Sequence, residues 1–396
     1  MKQFHWLLPT LAALVLVGAC GKDDPVPAPQ PDPDPTPVIP PDPTPEPEPE
    51  KDPLEVWGLK DLARACGLMI GTEFTYGEYS DDSLKVVLKR DFEAVTFGNE
   101  MKNDQIVTNA GQFNFTRADQ MVGWAKECEL KLFGHTLGWH SQQQNDYLVS
   151  KLVAGAADAD KAAALVRDFH KQWVDAMVNH FDVYGWDVVN EVFIDSGAWR
   201  NKANSQLSNT YHVFFWGDYY PGGPKEFVDT AFRTAREALE REGKSAILYI
   251  NDYNLEGGWA HGKLEALCQY AEGNPDVTGV GSQMHTSGDL YSPTEMKNML
   301  ERMVKTGKKV RISELDVASG TKMSQADIIV DIFKQYLDIV PEAQRGGITF
   351  WGVSDKNSWL GSNKQPLLYN SRYLRKDAYR KLHAYLLERS GLNKSN

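Results

Sequence analysis

The stretch "GWDVVNEVF", residues 185–193, reads as the inside of a protein until its last third. Trp186, Val188, Val189, Val192 and Phe193 are apolar, yet Asn190 and Glu191 stand side by side among them, with no basic residue nearby in sequence. A buried carboxylate without a partner is costly and tends to neutralise by shifting its pKa. The run therefore reads as a core strand that ends abruptly in polar chemistry.

Seven further runs share that pattern: "CGLMIGTEF" (66–74), "FEAVTFGNE" (92–100), "KLFGHTLGWH" (131–140), "AILYINDYN" (246–254), "VTGVGSQMHT" (277–286), "KVRISELDV" (309–317) and "GGITFWGVSD" (346–355). Helical stretches separate them. The clearest are 116–130 and 224–243, where apolar residues recur at three and four and Gly243 stands at a C-cap position. Eight strand–helix units without a linker-length break predict a parallel sheet closed into a (β/α)8 TIM barrel, a single catalytic domain over 54–396. An open doubly wound sheet would carry a glycine-rich phosphate loop after its first strand, and "MIGTEF" has none.

The chain before residue 54 is of another kind. Lys2 and the apolar run 6–19 read as a secretory signal over 1–20, too short for a membrane span. Its end, "LVGAC" (16–20), resembles the lipobox of bacterial lipoproteins, which implies lipidation of Cys20. "GKDD" (21–24) is similar to the acidic tag that exports some Gram-negative lipoproteins to the outer cell surface. Residues 21–53 hold 14 of the 21 prolines and predict an extended, disordered linker. Nine acidic and two basic residues fall there, so after the +1 of Lys2 only −6 of the net −12 belongs to 54–396. Such a domain does not suggest nucleic acid or an anionic membrane as partner. The only membrane contact expected is through the lipid, and the domain is expected to be monomeric. Cys66, Cys128 and Cys268 allow one disulfide or three buried thiols and carry no metal-type spacing.

In a barrel of this kind the site lies at the C-terminal strand ends. Those ends hold carboxylates, among them Glu73, Glu191 and Glu314, and a set of tryptophans. A lone glutamate is most simply a solvated or salt-bridged residue. Glu191 ending the fourth strand and Glu314 ending the seventh make a pair suited to glycosidic cleavage, one protonating the leaving oxygen and the other attacking carbon or activating water. Apolar and aromatic cover beside Asn190 favours the protonated form a general acid needs. Trp139, Trp351 and Trp359 lie in polar, glycine-containing loop entries, where flat rings suit pyranose faces, whereas Trp124 and Trp173 lie in helices and read as core. A metal is the rival chemistry. His135 and His140 are five apart, which on an ideal strand sends them to opposite faces, and no HExxH is present. No metal and no cofactor is expected. His170 and His180 fall in a helical pattern and read as ordinary surface or core residues.

With these residues assembled, the chain resembles glycoside hydrolase family 10, the endo-β-1,4-xylanases. The motifs that carry the likeness are "GHTLGWHSQ" (134–142), "WDVVNEVF" (186–193), "YINDYN" (249–254), "GSQMHTS" (281–287), "RISELDV" (311–317) and "FWGVSDKNSW" (350–359). The resemblance implies Glu191 as acid/base and Glu314 as nucleophile, with His285 and Asp316 orienting the nucleophile. It implies Asn190 on a sugar 2-hydroxyl, and Asn99, Lys102, His135, Trp139, Gln142, Gln283, Trp351 and Trp359 as glycone-side and central contacts, with Tyr253 on the aglycone side. It also implies xylan or xylo-oligosaccharides as substrate and a retaining double displacement. The alternatives are a related two-glutamate barrel on β-1,4-glucan or mixed-linkage glycan, and a non-catalytic surface glycan-binding lipoprotein.

Two departures stand out. The family's second strand usually reads Thr-Pro-Glu-Asn-x-Met-Lys; here "TFGNEMK" (96–102) puts Gly98 where the glutamate stands. A missing glycone-side carboxylate predicts weaker binding there, with Gly98→Glu expected to tighten it. The aromatic-rich segment 195–223 either extends the aglycone side of the cleft or packs over the barrel.

Overall fold

The computed structural model describes residues 52–205, 207 and 212–392. The signal-like start, Cys20 and the linker up to residue 51 lie outside the described residues.

Nine strand segments fill eight positions of one closed parallel barrel. They are β1 (Ile70–Phe74), β2 (Ala94–Phe97), β3 (Lys131–Gly138), β4 (Gly185–Asn190), β5 (Ile247–Asp252), β6 (Gly279–Ser282), β7 (His285–Ser287), β8 (Lys309–Ala318) and β9 (Arg345–Phe350). Pairing runs from β6 through β1 to β9 and β8, and β6 closes the ring against β8. β6 and β7 share one position, broken at Gln283 and Met284, where Met284 takes a left-handed φ of 66°.

The longer helices are α1 (Leu59–Ala65), α2 (Asp82–Asp91), α3 (Thr116–Glu127), α4 (Ala159–His180), α5 (Gly223–Glu242), α6 (His261–Gly273), α7 (Pro293–Lys305), α8 (Gln325–Ile339) and α9 (Asp377–Ser390). From α2 onward one follows each barrel position. Their ends obey local chemistry. Asp158 caps α4 by accepting from the Lys161 amide at 2.7 Å, and Gly243 ends α5 at φ 63°, as its sequence position predicts. Apolar helix faces then meet the outward strand residues. Ile329, Ile332 and Phe333 of α8 are fully buried, Phe333 against Phe350 at 5.9 Å. Each such side chain stabilises the fold by about 1.5–3 kcal/mol. Trp124 and Trp173 are core, as expected, and Trp173 Nε1 donates to Leu137 O at 2.6 Å.

The barrel interior is polar near its middle. Arg311 lies over the Phe133 ring and donates to Thr96 and Thr349 hydroxyls at 3.2 and 2.9 Å. Cys66, Cys128 and Cys268 are all free thiols, with Cys128 and Cys268 buried as expected of unpaired cysteines and Cys66 half-buried. No described helix is long and apolar enough to cross a membrane.

Candidate active site

A cleft of about 700 Å³ opens at the C-terminal ends of the strands, and every barrel position contributes to its lining. Of the fourteen catalytic, nucleophile-supporting and sugar-contact residues expected from sequence, all but Asp316 line it. Asp316 stands behind His285, accepting its Nδ1 at 2.9 Å.

β8 does not end at Glu314 as its sequence predicts; it continues to Ala318, because β7 extends the sheet and pairs His285 with Asp316. Between Ile312 and Leu315, β8 spends one residue more than β9, and against β6 and β7 it likewise gains one. That bulge turns two successive residues inward, a usual function of such insertions. Ser313 Oγ donates to Asn251 Oδ1 at 2.7 Å, and Glu314 Oε1 accepts from Asn251 Nδ2 at 2.9 Å. Leu315 then faces the apolar layer and Asp316 returns inward.

Burial alone would raise the Glu314 pKa. The His285 hydrogen bond and the nearby His135 and Lys102 outweigh it and hold this carboxyl below the usual range. His285 Nε2 lies 3.4 Å from Glu314 Oε2. Burial opposes the imidazolium, but Asp316 and Glu314 overcome it and push the His285 pKa up to about 10. Asp316 Oδ2 also accepts from Trp359 Nε1 at 2.7 Å.

Glu191 follows β4 immediately and takes a left-handed φ of 59°, a conformation a glutamate adopts only when its surroundings impose it. They do so through the backbone: its N–H donates to Asn251 O at 2.9 Å, and Arg200 Nε donates to its carbonyl at 2.8 Å. Its Oε1 accepts from Gln283 Nε2 at 3.1 Å and Asn190 Nδ2 at 3.3 Å. His140 Nε2 is 3.8 Å from Oε2, but burial, with Arg200 and Lys263 nearby, lowers the His140 pKa to about 3, so this is no ion pair at neutral pH. Asn190 Oδ1 accepts from both Asn251 and Gln283, at 3.0 and 3.2 Å, and links the two glutamates through amides.

Around this centre, Lys102 Nζ donates to Gln142 Oε1 at 2.7 Å and Gln142 Nε2 to Asn99 Oδ1 at 3.1 Å. Burial lowers the Lys102 pKa, against the pull of Glu314 and Glu73. His135 Nδ1 is 2.9 Å from Asp187 Oδ2, and its ring meets Trp351 edge-on at 5.4 Å. His135 and His140 both face the cleft, contrary to the alternation expected: β3 ends at Gly138, and its pairing with β4 already shifts after His135. His135, Asp187 and Glu314 form the one cluster of metal-ligand types among the described residues. Within it His135 Nδ1 lies against Asp187 Oδ2, and Glu314 is bonded to Asn251 and lies against His285, while Asp187 Oδ1 is buried with no hydrogen-bond partner. His170 is buried against Tyr220 and His180 pairs with Asp119 on the surface, neither near the cleft.

Four contributors had no role assigned from sequence. Asn251 binds Glu314. Arg200 braces the loop after Glu191 and donates to Tyr253 Oη at 2.8 Å. His140 lies beside Glu191. Glu73 is the fourth. A Cβ on Gly98 would meet Glu73 Oε1 at 1.9 Å, so a Gly98→Glu side chain enters only if the Glu73 carboxyl moves aside, which offsets the gain expected from that substitution. Of the other strand-end acids, Glu100 accepts the Tyr76 and Asn99 amides, Asp252 pairs with Lys263 and Asp355 with Lys376; all three are structural.

In the segment 195–223, Phe214, Trp216 and Tyr220 pack over the barrel, while Phe215 stacks on His140 and Leu207 reaches the cleft. Residues 206 and 208–211 of this segment lie outside the described residues.

Residues 58–385 match the family model described as glycosyl hydrolase family 10. The chain is 32% identical over 343 residues to the endo-beta-1,4-xylanase Xyn10C of Cellvibrio japonicus, 77% of this chain but 53% of that protein, so it spans about half the length of that relative. Among solved structures it is similar to native xylanase 10B from Thermotoga maritima, with TM-score 0.70 and 28% identity over 85% of this chain and 99% of that one. It is also similar to a mutant xylanase10C from Cellvibrio japonicus in complex with xylopentaose, with TM-score 0.69 and 28% identity over 84% of this chain and 69% of that one.

Proposed function

The chain belongs to glycosyl hydrolase family 10, and from that premise we propose that it is an endo-β-1,4-xylanase that cleaves internal bonds of xylan with retention of configuration. One observation carries the reading: two glutamates share a cleft in unlike surroundings, Glu314 beside a charged histidine that favours its ionised form and Glu191 beside two amide donors and a neutral histidine.

In the first step Glu314 attacks the anomeric carbon while Glu191 gives its proton to the departing glycosidic oxygen. The C–O bond to the leaving sugar breaks as the Glu314–C1 ester forms. In the second step water attacks C1, Glu191 takes the water proton, and the ester bond returns its electrons to Glu314. This requires the two carboxyl groups at ~5–5.5 Å, against ~6.5–9.5 Å for inversion. Asn190 contacts the 2-hydroxyl of the sugar under attack, while Asn99, Lys102, His135, Gln142 and Gln283, with the rings of Trp139, Trp351 and Trp359, hold the glycone and central sugars. Tyr253, braced by Arg200, faces the aglycone. Lining from every barrel position supports binding of chain on both sides of the scissile bond.

Reducing-sugar release from xylan should far exceed that from carboxymethyl-cellulose. A proton NMR time course on xylo-oligosaccharide should show the β anomer first. Initial α product removes the mechanism, and preference for the cellulose derivative removes the substrate.

We also propose that Cys20 is lipidated and that residues 21–53 tether a monomeric barrel at the outer cell surface. The lipobox-like "LVGAC" and the acidic "GKDD" support this. Intact-mass measurement of the mature N-terminus, with surface proteolysis of whole cells, tests it.

A further inference from the structure

Glu73 is the fourth residue of β1 and lines the cleft at 8% exposure. Its acidic neighbours are satisfied: Glu78 accepts the Thr75 amide and hydroxyl, and Glu100 accepts two amides. The Glu73 carboxyl has no hydrogen bond or ion pair among the described residues. Buried polar groups in native proteins are normally bonded, so a carboxyl left open at a cleft wall is available to water or to a ligand that enters the cleft. Burial, with Glu78 adding, pushes its pKa well above the usual carboxylate range although Lys102 opposes this, which favours the neutral acid, a group that both donates and accepts.

The room for this carboxyl is made by glycines. Oε1 occupies the place a Cβ on Gly98 would take, at 1.9 Å, and Oε2 lies 3.7 Å from where a Cβ on Gly352 would sit. β1 and β2 pair Phe74 with Phe97, so residues 73 and 98 reach the rim side by side. Gly98 precedes Asn99, which bonds Gln142, which holds Lys102, so the carboxyl stands at the glycone end of the polar wall.

We infer that Glu73 is a specificity-determining residue that binds vicinal hydroxyls of the sugar one place beyond the cleaved unit on the glycone side, and that Gly98 is needed to let it do so. The acid absent from the second strand is supplied by the first. The inference rests on the xylanase reading, and its test is built to separate the two.

The measured quantity is kcat/KM for an aryl β-xylobioside divided by that for an aryl β-xyloside, which lacks the second glycone sugar. Glu73→Ala should lower this ratio about 10–100-fold. Glu73→Gln, which keeps a neutral donor and acceptor, should stay within about fivefold of the wild type. Gly98→Ala, which pushes the carboxyl aside without removing it, should lower the ratio too. The pair Glu73→Ala with Gly98→Glu should recover most of the loss. An unchanged ratio in Glu73→Ala, or a raised one in Gly98→Glu alone, overturns the inference while leaving a wild type that cleaves both substrates a xylanase. A wild type that cleaves neither overturns the reading beneath it. If Glu73→Ala does not fold, Gly98→Ala and Glu73→Gln decide the matter.

Discussion

The ends of β4 and β8 present the same side chain to one cleft and treat it differently. Glu314 lies in extended backbone displaced by a bulge, 6% exposed, with a charged histidine on one oxygen and an amide on the other. Glu191 is 17% exposed, aimed by a left-handed backbone, and touched by two amide donors and a neutral histidine. An ionised partner favours one charge state of the carboxyl beside it; amide donors bring no such charge. The difference lies in the surroundings, and it supports the roles proposed for Glu314 as nucleophile and Glu191 as acid/base. The sharpest way to break the comparison is to remove each glutamate and supply azide. Glu314→Ala should cost on the order of 10⁴-fold or more in kcat on xylan. Azide should then attack from the vacated side and give the inverted α-xylosyl azide. Glu191→Ala should cost about 10²–10⁴-fold, less on an aryl glycoside whose leaving group needs no proton, and azide should give the β-azide. Exchanged stereochemistry would exchange the roles.

A second test concerns the charge that separates the two sites. The folded His285 pKa is raised to about 10 from 6.5, so its contribution to stability is complete below 6.5 and is lost as pH rises through about 10. The Glu314 pKa is lowered from 4.5, so its contribution is complete above 4.5 and is lost as pH falls through the folded value. The stability difference between wild type and His285→Gln, followed by urea denaturation, should therefore be greatest between pH 4.5 and 6.5 and shrink toward pH 10. The same variant should move the acid limb of kcat/KM to higher pH, because Glu314 loses the cation that keeps it ionised. A pH-independent stability difference would mean that the histidine is neutral and the contrast with Glu191 false.

The barrel was legible because eight apolar runs each end in polar residues, and the site because those ends converge at one rim. Even the bulge at Glu314 left a trace. In "RISELDV" polar and apolar residues alternate except at Ser313 and Glu314, two polar residues in succession where one strand residue is extra. Positive φ at Glu191 and the brace from Arg200 left none, since both depend on how the loop after β4 returns to the rim. Glu73 is placed at the rim by its sequence but given no role there, for a related reason. Only the pairing of β1 with β2 shows that this acid fills the gap at Gly98. Alternation within one strand is local information; which side chain fills a neighbour's vacancy is not.

The smallest effect expected belongs to Trp359, which is 62% exposed at the lip of the cleft on the Glu314 side. Its Nε1 shares Asp316 Oδ2 with His285 Nδ1, and its ring lies 5.0 Å from the imidazole. Two effects are combined in one side chain, and two substitutions separate them. Trp359→Ala removes the apolar face offered to a sugar, a loss of about 1 kcal/mol of binding, so KM should rise about fivefold with kcat little changed. Trp359→Phe keeps a ring but removes the donor to Asp316. That oxygen is then left to His285 alone, which strengthens its hold on the imidazolium, so kcat and its acid limb should stay as in the wild type. A fall in kcat for Trp359→Phe would show that the indole N–H helps to set the charge beside Glu314, and would extend the network that distinguishes it from Glu191 by one residue into solvent.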